Sequence, residues 1–217
     1  WYSVHKIYAG LIDAYKHGKN EQAIEIVTQM ADWAIKVFAK TSEEDFQKML
    51  ICEHGGMCKV YADLYEILGK EQCVIMAERF VHKEQIEPAI AQKDILQGYH
   101  ANTQIPKFIG AAKLYELTGN SDYKKAVEFF FKIVTEQRSY AIGGNSIGEH
   151  FGPSYKEKTG RDTCETCNTY NMLELAEHVF SWNPNSKISD FYETALYNHI
   201  LASQEPNNGA KMYFVST

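Results

Sequence analysis

No stretch of the 217-residue chain is apolar for long enough to cross a bilayer, and Trp1 to His5 do not form a secretory leader. No cluster of Lys and Arg is dense enough to track phosphates, which sets nucleic acid aside. A formal charge of −6 argues against adsorption to an anionic membrane. The five cysteines are odd in number and irregular in spacing, so a disulfide framework is not expected. Buried thiols or metal ligands are the better readings. The chain opens inside a helical pattern and stops at Tyr213–Thr217, which reads as an unfinished strand. A piece of a longer protein is therefore expected, with any leader outside it.

What is present is helical and repeated. Tyr15, Tyr65 and Tyr115 are evenly spaced, each shortly before a glycine (Gly18, Gly69, Gly119) placed where a helix should end. Ile7, Leu11, Ile12 and Tyr15 share one face of a first helix. Val60, Leu64, Ile67 and Leu68 do so in a second repeat, and Ile109, Ala112, Leu114 and Leu117 in a third. Partner helices follow at about 21–38, 71–80 and 123–135, and a fourth pair at about 169–180 and 188–203. Hairpins repeating every fifty residues or so imply an open solenoid or a closed ring. His5, His54 and His100 open the first three pairs. Any one of them is explained by capping or local packing, but three at equivalent positions would converge on one pocket in a ring. His17, His82, His178 and His199 read as structural.

The stretch 139–162 breaks the helical pattern and is rich in glycine, a length of loop that is usually functional. It is not a phosphate loop, since no Lys-Ser/Thr pair follows it. Glu149 lies at its centre, two residues before Phe151, and is either a solvated loop glutamate or a proton donor whose pKa is raised by apolar surroundings. Next comes Cys164-Glu165-Thr166-Cys167. Without a second cysteine pair, a four-thiolate zinc site is excluded. The two cysteines are small buried residues, the reading local sequence favours, or part of a metal shell that includes Glu165.

Several strings together resemble the bacterial β-L-arabinofuranosidases, a family once known only as a domain of unknown function. They are His5-Lys6-Ile7-Tyr8-Ala9-Gly10, Glu53-His54-Gly55-Gly56-Met57, His100-Ala101-Asn102-Thr103-Gln104-Ile105-Pro106-Lys107, Gly148-Glu149-His150-Phe151, Glu165-Thr166-Cys167-Asn168-Thr169-Tyr170-Asn171 and Tyr192-Glu193-Thr194-Ala195-Leu196-Tyr197-Asn198-His199. The resemblance implies an all-α fold, an (α/α)6 toroid of helical hairpins followed by β-rich domains. Residues 1–217 would be an incomplete catalytic barrel, and inactive alone. It implies a retaining glycosidase acting on plant-type glycans, in the bacterial periplasm or outside the cell. Glu149 would be the general acid/base, and His5, His54, His100 and Glu165 would bind the sugar. A zinc ion would be held by Glu165 and Cys167 together with two adjacent cysteines, one of them the nucleophile. That adjacent pair does not occur in these residues. The competing readings are another α/α-toroid carbohydrate enzyme, such as an epimerase or lyase, and a non-catalytic carbohydrate-binding protein on the same fold.

Overall fold

A computed structural model describes residues 1–156 and 158–217; Glu157, inside the glycine-rich stretch, lies outside the described residues. The helices are α1 (Tyr2–Lys16), α2 (Glu21–Phe38), α3 (Glu43–Met49), α4 (Met57–Leu68), α5 (Glu71–Arg79), α6 (Lys83–Ile90), α7 (Ala101–Thr118), α8 (Ser121–Gln137), α9 (Thr166–Trp182) and α10 (Ser186–Ala195). A π-helical segment, Leu196–Leu201, continues α10. Helices α1/α2, α4/α5, α7/α8 and α9/α10 form the four hairpins, and α1, α4, α7 and α9 pack side by side in that order. Their starts therefore gather at one end of the fold. No helix among the described residues is long and apolar enough to cross a membrane.

The repeat has a local cause. In each of the first three hairpins, the carbonyl of the repeat tyrosine accepts a hydrogen bond from the amide four residues on: Lys19 (3.0 Å), Gly69 (2.8 Å) and Gly119 (2.8 Å). All three of those residues are left-handed, with φ of 54°, 65° and 72°. Gly69 and Gly119 are thus the expected helix ends. Gly18 is not: it sits one residue early, and Lys19 takes the left-handed turn instead. The next helix begins at once, with Asn20 and Asn120 accepting hydrogen bonds from the amides of Ala23 (3.2 Å) and Asp122 (3.0 Å).

The expected face of α1 holds at Leu11, Ile12 and Tyr15, which are buried or partly buried, and fails at one position. Tyr8 and Ile12 are buried, whereas Ile7 is exposed. Helix α1 packs against both α2 and α4, and a side chain one residue away on the wheel already points out of that groove. The short helices α3 and α6 escape periodicity because they hold fewer than three turns. Helix α3 is announced by Ser42, which accepts from the Asp45 amide at 3.1 Å and donates to its carboxylate at 2.8 Å. Close contact between α4 and α7 needs Gly110, where a Cβ would lie 2.6 Å from that of Cys58. Residues 213–217 form no named strand; Glu165 and Phe214 make an isolated antiparallel bridge.

Candidate functional site

The glycine-rich loop is fixed between the starts of α7 and α9 by backbone bonds. Ala101 donates to the Glu149 carbonyl at 2.8 Å, and Phe151 to that of Tyr99 at 2.9 Å. On the other side, Gly148 donates to the carbonyl of Asp162 at 2.8 Å and Cys164 to that of Ser146 at 3.3 Å. The terminal segment is tied to the same place, since Thr166 donates to the Tyr213 carbonyl at 3.0 Å. This stitching holds Ser146, Gly148, Glu149 and Cys164 at positive φ, three of them residues with side chains. Left-handed backbone at non-glycine residues costs energy and is concentrated at functional loops.

Glu149 lies beside His100 and Tyr213. His100 is the N-cap of α7, and its Nδ1 accepts from the Thr103 amide at 3.2 Å. The Thr103 hydroxyl, 2.9 Å from the same nitrogen, donates to Glu53 at 3.2 Å. With Nδ1 accepting, the proton sits on Nε2, which is 3.4 Å from Glu149 Oε2 and donates to it. Tyr213 hydroxyl lies 2.8 Å from Glu149 Oε1 and 2.7 Å from Glu165 Oε1, so one phenolic proton serves two carboxylates.

Of the two readings of Glu149, the raised pKa is not the one the surroundings favour. Its carboxyl is held below the ordinary glutamate value, chiefly by the Tyr213 hydrogen bond and then by His100. Phe151 supplies no apolar pocket for it, because its ring turns into the core against Phe130 with centroids 6.1 Å apart. Glu149 itself stays partly exposed. Tyr213 is shifted the other way: burial, then the Glu165 and Glu149 carboxylates, raise it.

Glu165 is 1% exposed, and its Oε2 has no hydrogen-bond partner. Cys167 is half-buried beside it, and burial followed by the Glu165 charge pushes its thiol up. An orphaned buried carboxylate oxygen next to a thiol fits two corners of a thiolate-carboxylate cation site. Among the described residues, no group of three or more His, Cys, Asp and Glu is placed to hold a metal. Cys164 belongs elsewhere: it is fully buried against Gly144, and burial pushes its thiol up to about 12.

Of the three histidines, His100 alone reaches Glu149. His5 lies within the first turns of α1, with its ring against the backbone of Gly55 and Gly56. A Cβ at Gly56 would be 2.9 Å from its Nε2, so the glycines after His54 make the room His5 occupies. Burial lowers His5 to about 4 and does the same to His54. His54 is buried before α4, its ring 5.9 Å from that of His82. Among the histidines read as structural, His199 bonds the Thr169 hydroxyl at 2.8 Å and His178 pairs with Glu116 at 2.8 Å. A cavity of about 420 Å³ opens between the starts of α1, α7 and α9, with Tyr2, Lys6, Asn102, Cys167, Tyr170 and Lys211 among its lining. Its size suits a small ligand.

Tyr213 was not legible as a site residue. It lies 48 positions from Glu165, and no helical or motif spacing links the two. Tyr213→Phe is expected to raise the Glu149 pKa, because the carboxylate loses its main donor. If Glu149 is the general acid of a hydrolase, the alkaline limb of kcat/KM then moves to higher pH by about one unit. A limb that stays in place removes Tyr213 from that role.

Helical hairpins with their first helices side by side and carboxylates at the shared end define an all-α toroid-type fold of the kind used by carbohydrate enzymes. The model of the β-L-arabinofuranosidase family, GH127 catalytic domain, matches residues 1–217, and the chain belongs to that family. Among solved structures, it is similar to a GH127 β-arabinofuranosidase at TM-score 0.75 and 20% identity, covering 95% of this chain and 34% of that one. It is similar to a GH127 β-L-arabinofuranosidase from Geobacillus stearothermophilus T6 at TM-score 0.76 and 16% identity, covering 97% and 38%. A polysaccharide lyase is also similar, at TM-score 0.58 and 16% identity, covering 92% and 59%. These likenesses establish the fold. The chain spans little more than a third of the length of the two GH127 structures. No curated protein matches it.

Proposed function

We propose that the intact protein is a retaining glycoside hydrolase acting on β-L-arabinofuranosides, with Glu149 as general acid/base. The observation that carries this is the Glu149–Tyr213–Glu165 bridge beside Cys167, at the end where the first helices of the hairpins meet. In the first step Glu149 donates a proton to the departing glycosidic oxygen. In the second it takes a proton from the incoming water. The depressed pKa of Glu149 favours the second role, and the protonated form needed for the first grows as pH falls. His100 and Tyr213 hold the carboxylate in place through both. Glu165 and Cys167 would hold zinc, completed by cysteines outside these residues. When bound, that metal would keep a thiolate ionised near neutral pH. His5 and His54, uncharged at working pH, would bind sugar hydroxyls as neutral donors and acceptors.

An epimerase or lyase reading would place Cys167 in packing and set His54 and His100 across a cleft from each other. Instead Cys167 lines the cavity, His54 faces His82, and His100 faces His150 at 5.4 Å between ring centroids. The test is hydrolysis of p-nitrophenyl β-L-arabinofuranoside by the intact protein, with product configuration followed by NMR. Release of a β-configured sugar is expected. Inversion, or no hydrolysis by a folded intact protein, would overturn the reading.

A further inference from the structure

Lys107 is an unusual residue to bury. It lies on α7 and is 6% exposed. Among the described residues, its ammonium meets no carboxylate within ion-pair distance. It bonds instead to His82 Nδ1 and Gln104 Oε1, each at 2.9 Å. An aliphatic residue would fill such a site at lower desolvation cost, so the amine is there for what it contacts. His82, read from sequence as structural, is the N-cap residue of α6 and stands edge-on to His54.

We propose that Lys107 is a positioning residue for the carbohydrate site: it fixes the tautomer of His82, and the His82 ring holds the His54 imidazole in place. This rests on the reading of His54 as a sugar-binding group. With Nδ1 of His82 accepting from an ammonium, its proton must sit on Nε2, which is directed towards Glu84 at 3.7 Å. His82 cannot take a second proton while Lys107 is charged, since two donors would then meet head to head. The same charge acts on His54, which also faces the rings of His5, His82 and Phe80 and the carbonyls of Cys52, 3.4 Å from Nδ1, and Leu50. Burial lowers Lys107 itself to about 8, opposed by Glu84 and then Glu53, so it is still largely charged at neutral pH and below. His54 therefore stays neutral, with Nδ1 donating to Cys52 and Nε2 left as an acceptor for a hydroxyl. Burial and then Lys107 together hold it down to about 4, and His82 likewise.

Two variants of the intact protein separate position from charge. Lys107→Gln keeps a donor for His82 but removes the charge; Lys107→Met removes both. The His54 imidazole C–H resonance is followed against pH in histidine-labelled protein, assigned by its loss in His54→Asn. KM and kcat on the aryl arabinofuranoside are measured over the same range. In Lys107→Gln the His54 midpoint is expected to rise by about one unit, and KM to rise about twofold near pH 5 with kcat little changed. In Lys107→Met, KM rises about tenfold at neutral pH as well. An unchanged His54 midpoint in Lys107→Gln, or equal losses in kcat and kcat/KM with an unmoved pH profile, overturns the proposal. If Lys107→Met does not fold, Lys107→Gln decides. If the parent protein hydrolyses nothing, the titration still decides the role of Lys107, and the missing activity counts against the glycosidase reading alone.

Discussion

Replacing Glu149 by glutamine in the intact protein is expected to lower kcat by about a thousandfold, the largest kinetic effect of any substitution considered. The glutamine amide is nearly isosteric. Its oxygen can still accept from Tyr213, and the loop that holds it is fixed by backbone bonds from Ala101 and Gly148 that the substitution does not touch. The variant should therefore fold with an unchanged Tm, and substrate binding should be close to normal. What is lost is the proton. Its absence matters most when the leaving group is a poor one, so the loss on a sugar aglycone should exceed the loss on p-nitrophenol. An aryl substrate departs with less help, but the water of the second step still needs a base. Measuring kcat on both substrates checks the assignment. A variant that keeps a tenth or more of parental kcat on the sugar aglycone would show that Glu149 is not the acid/base. Candidates would then be sought among the other carboxylates at this end, Glu53 and Glu165.

Cys167→Ala is expected to remove zinc from the intact protein, with an affinity loss of at least about 100-fold and activity falling with it. The physical ground is the pair of groups beside the cavity. Glu165 presents a buried oxygen with no partner, and Cys167 presents a thiol whose ionisation that carboxylate opposes. A divalent cation between them would reverse the second effect and satisfy the first. Tyr213 cannot do so, because its single proton is already shared with Glu149. Cys167 is only half-buried, so its truncation should leave the fold intact. Metal content by mass spectrometry, read beside thermal stability, separates loss of a ligand from loss of structure. Glu165→Gln should act in the same direction with a smaller effect, since an amide oxygen still ligates but carries no charge. Metal bound equally by the parent and Cys167→Ala would place the site elsewhere.

The helical hairpins were readable because their causes are local. The carbonyl of Tyr65 or Tyr115 meets the amide of a left-handed glycine four residues on, and an asparagine or lysine starts the next helix there. Expectation failed where the determinant was not local. Gly18 was taken for the turn glycine because a glycine near the tyrosine is the visible signal, yet backbone geometry requires the position four residues on, which is Lys19. Ile7 was placed inside because an amphipathic pattern gives a stripe but not its edges. Those depend on which neighbours, here α2 and α4, close over the helix.

The site divides along the same line. Glu149, Glu165 and Cys167 stand in motifs whose residues are neighbours in sequence, so the family resemblance could single them out where local pattern left them open. The three histidines were found through their equivalent places in the repeat. Their individual settings were not, because these arise from contacts between repeats: His100 with Glu149, His5 against Gly55 and Gly56, His54 beside His82. The ionisation of Glu149 was left open between two readings for the same reason. Proximity in sequence suggested Phe151 as its environment, but the pKa is set by Tyr213 and His100, 64 and 49 positions away. Sequence by itself determined the helical repeat and the family, since hydrogen-bond periodicity and motifs act over a few residues. Tertiary structure decided which groups share protons and which stay neutral, including the Lys107–His82–His54 arrangement, because electrostatic interaction depends on distances in space that chain order does not encode.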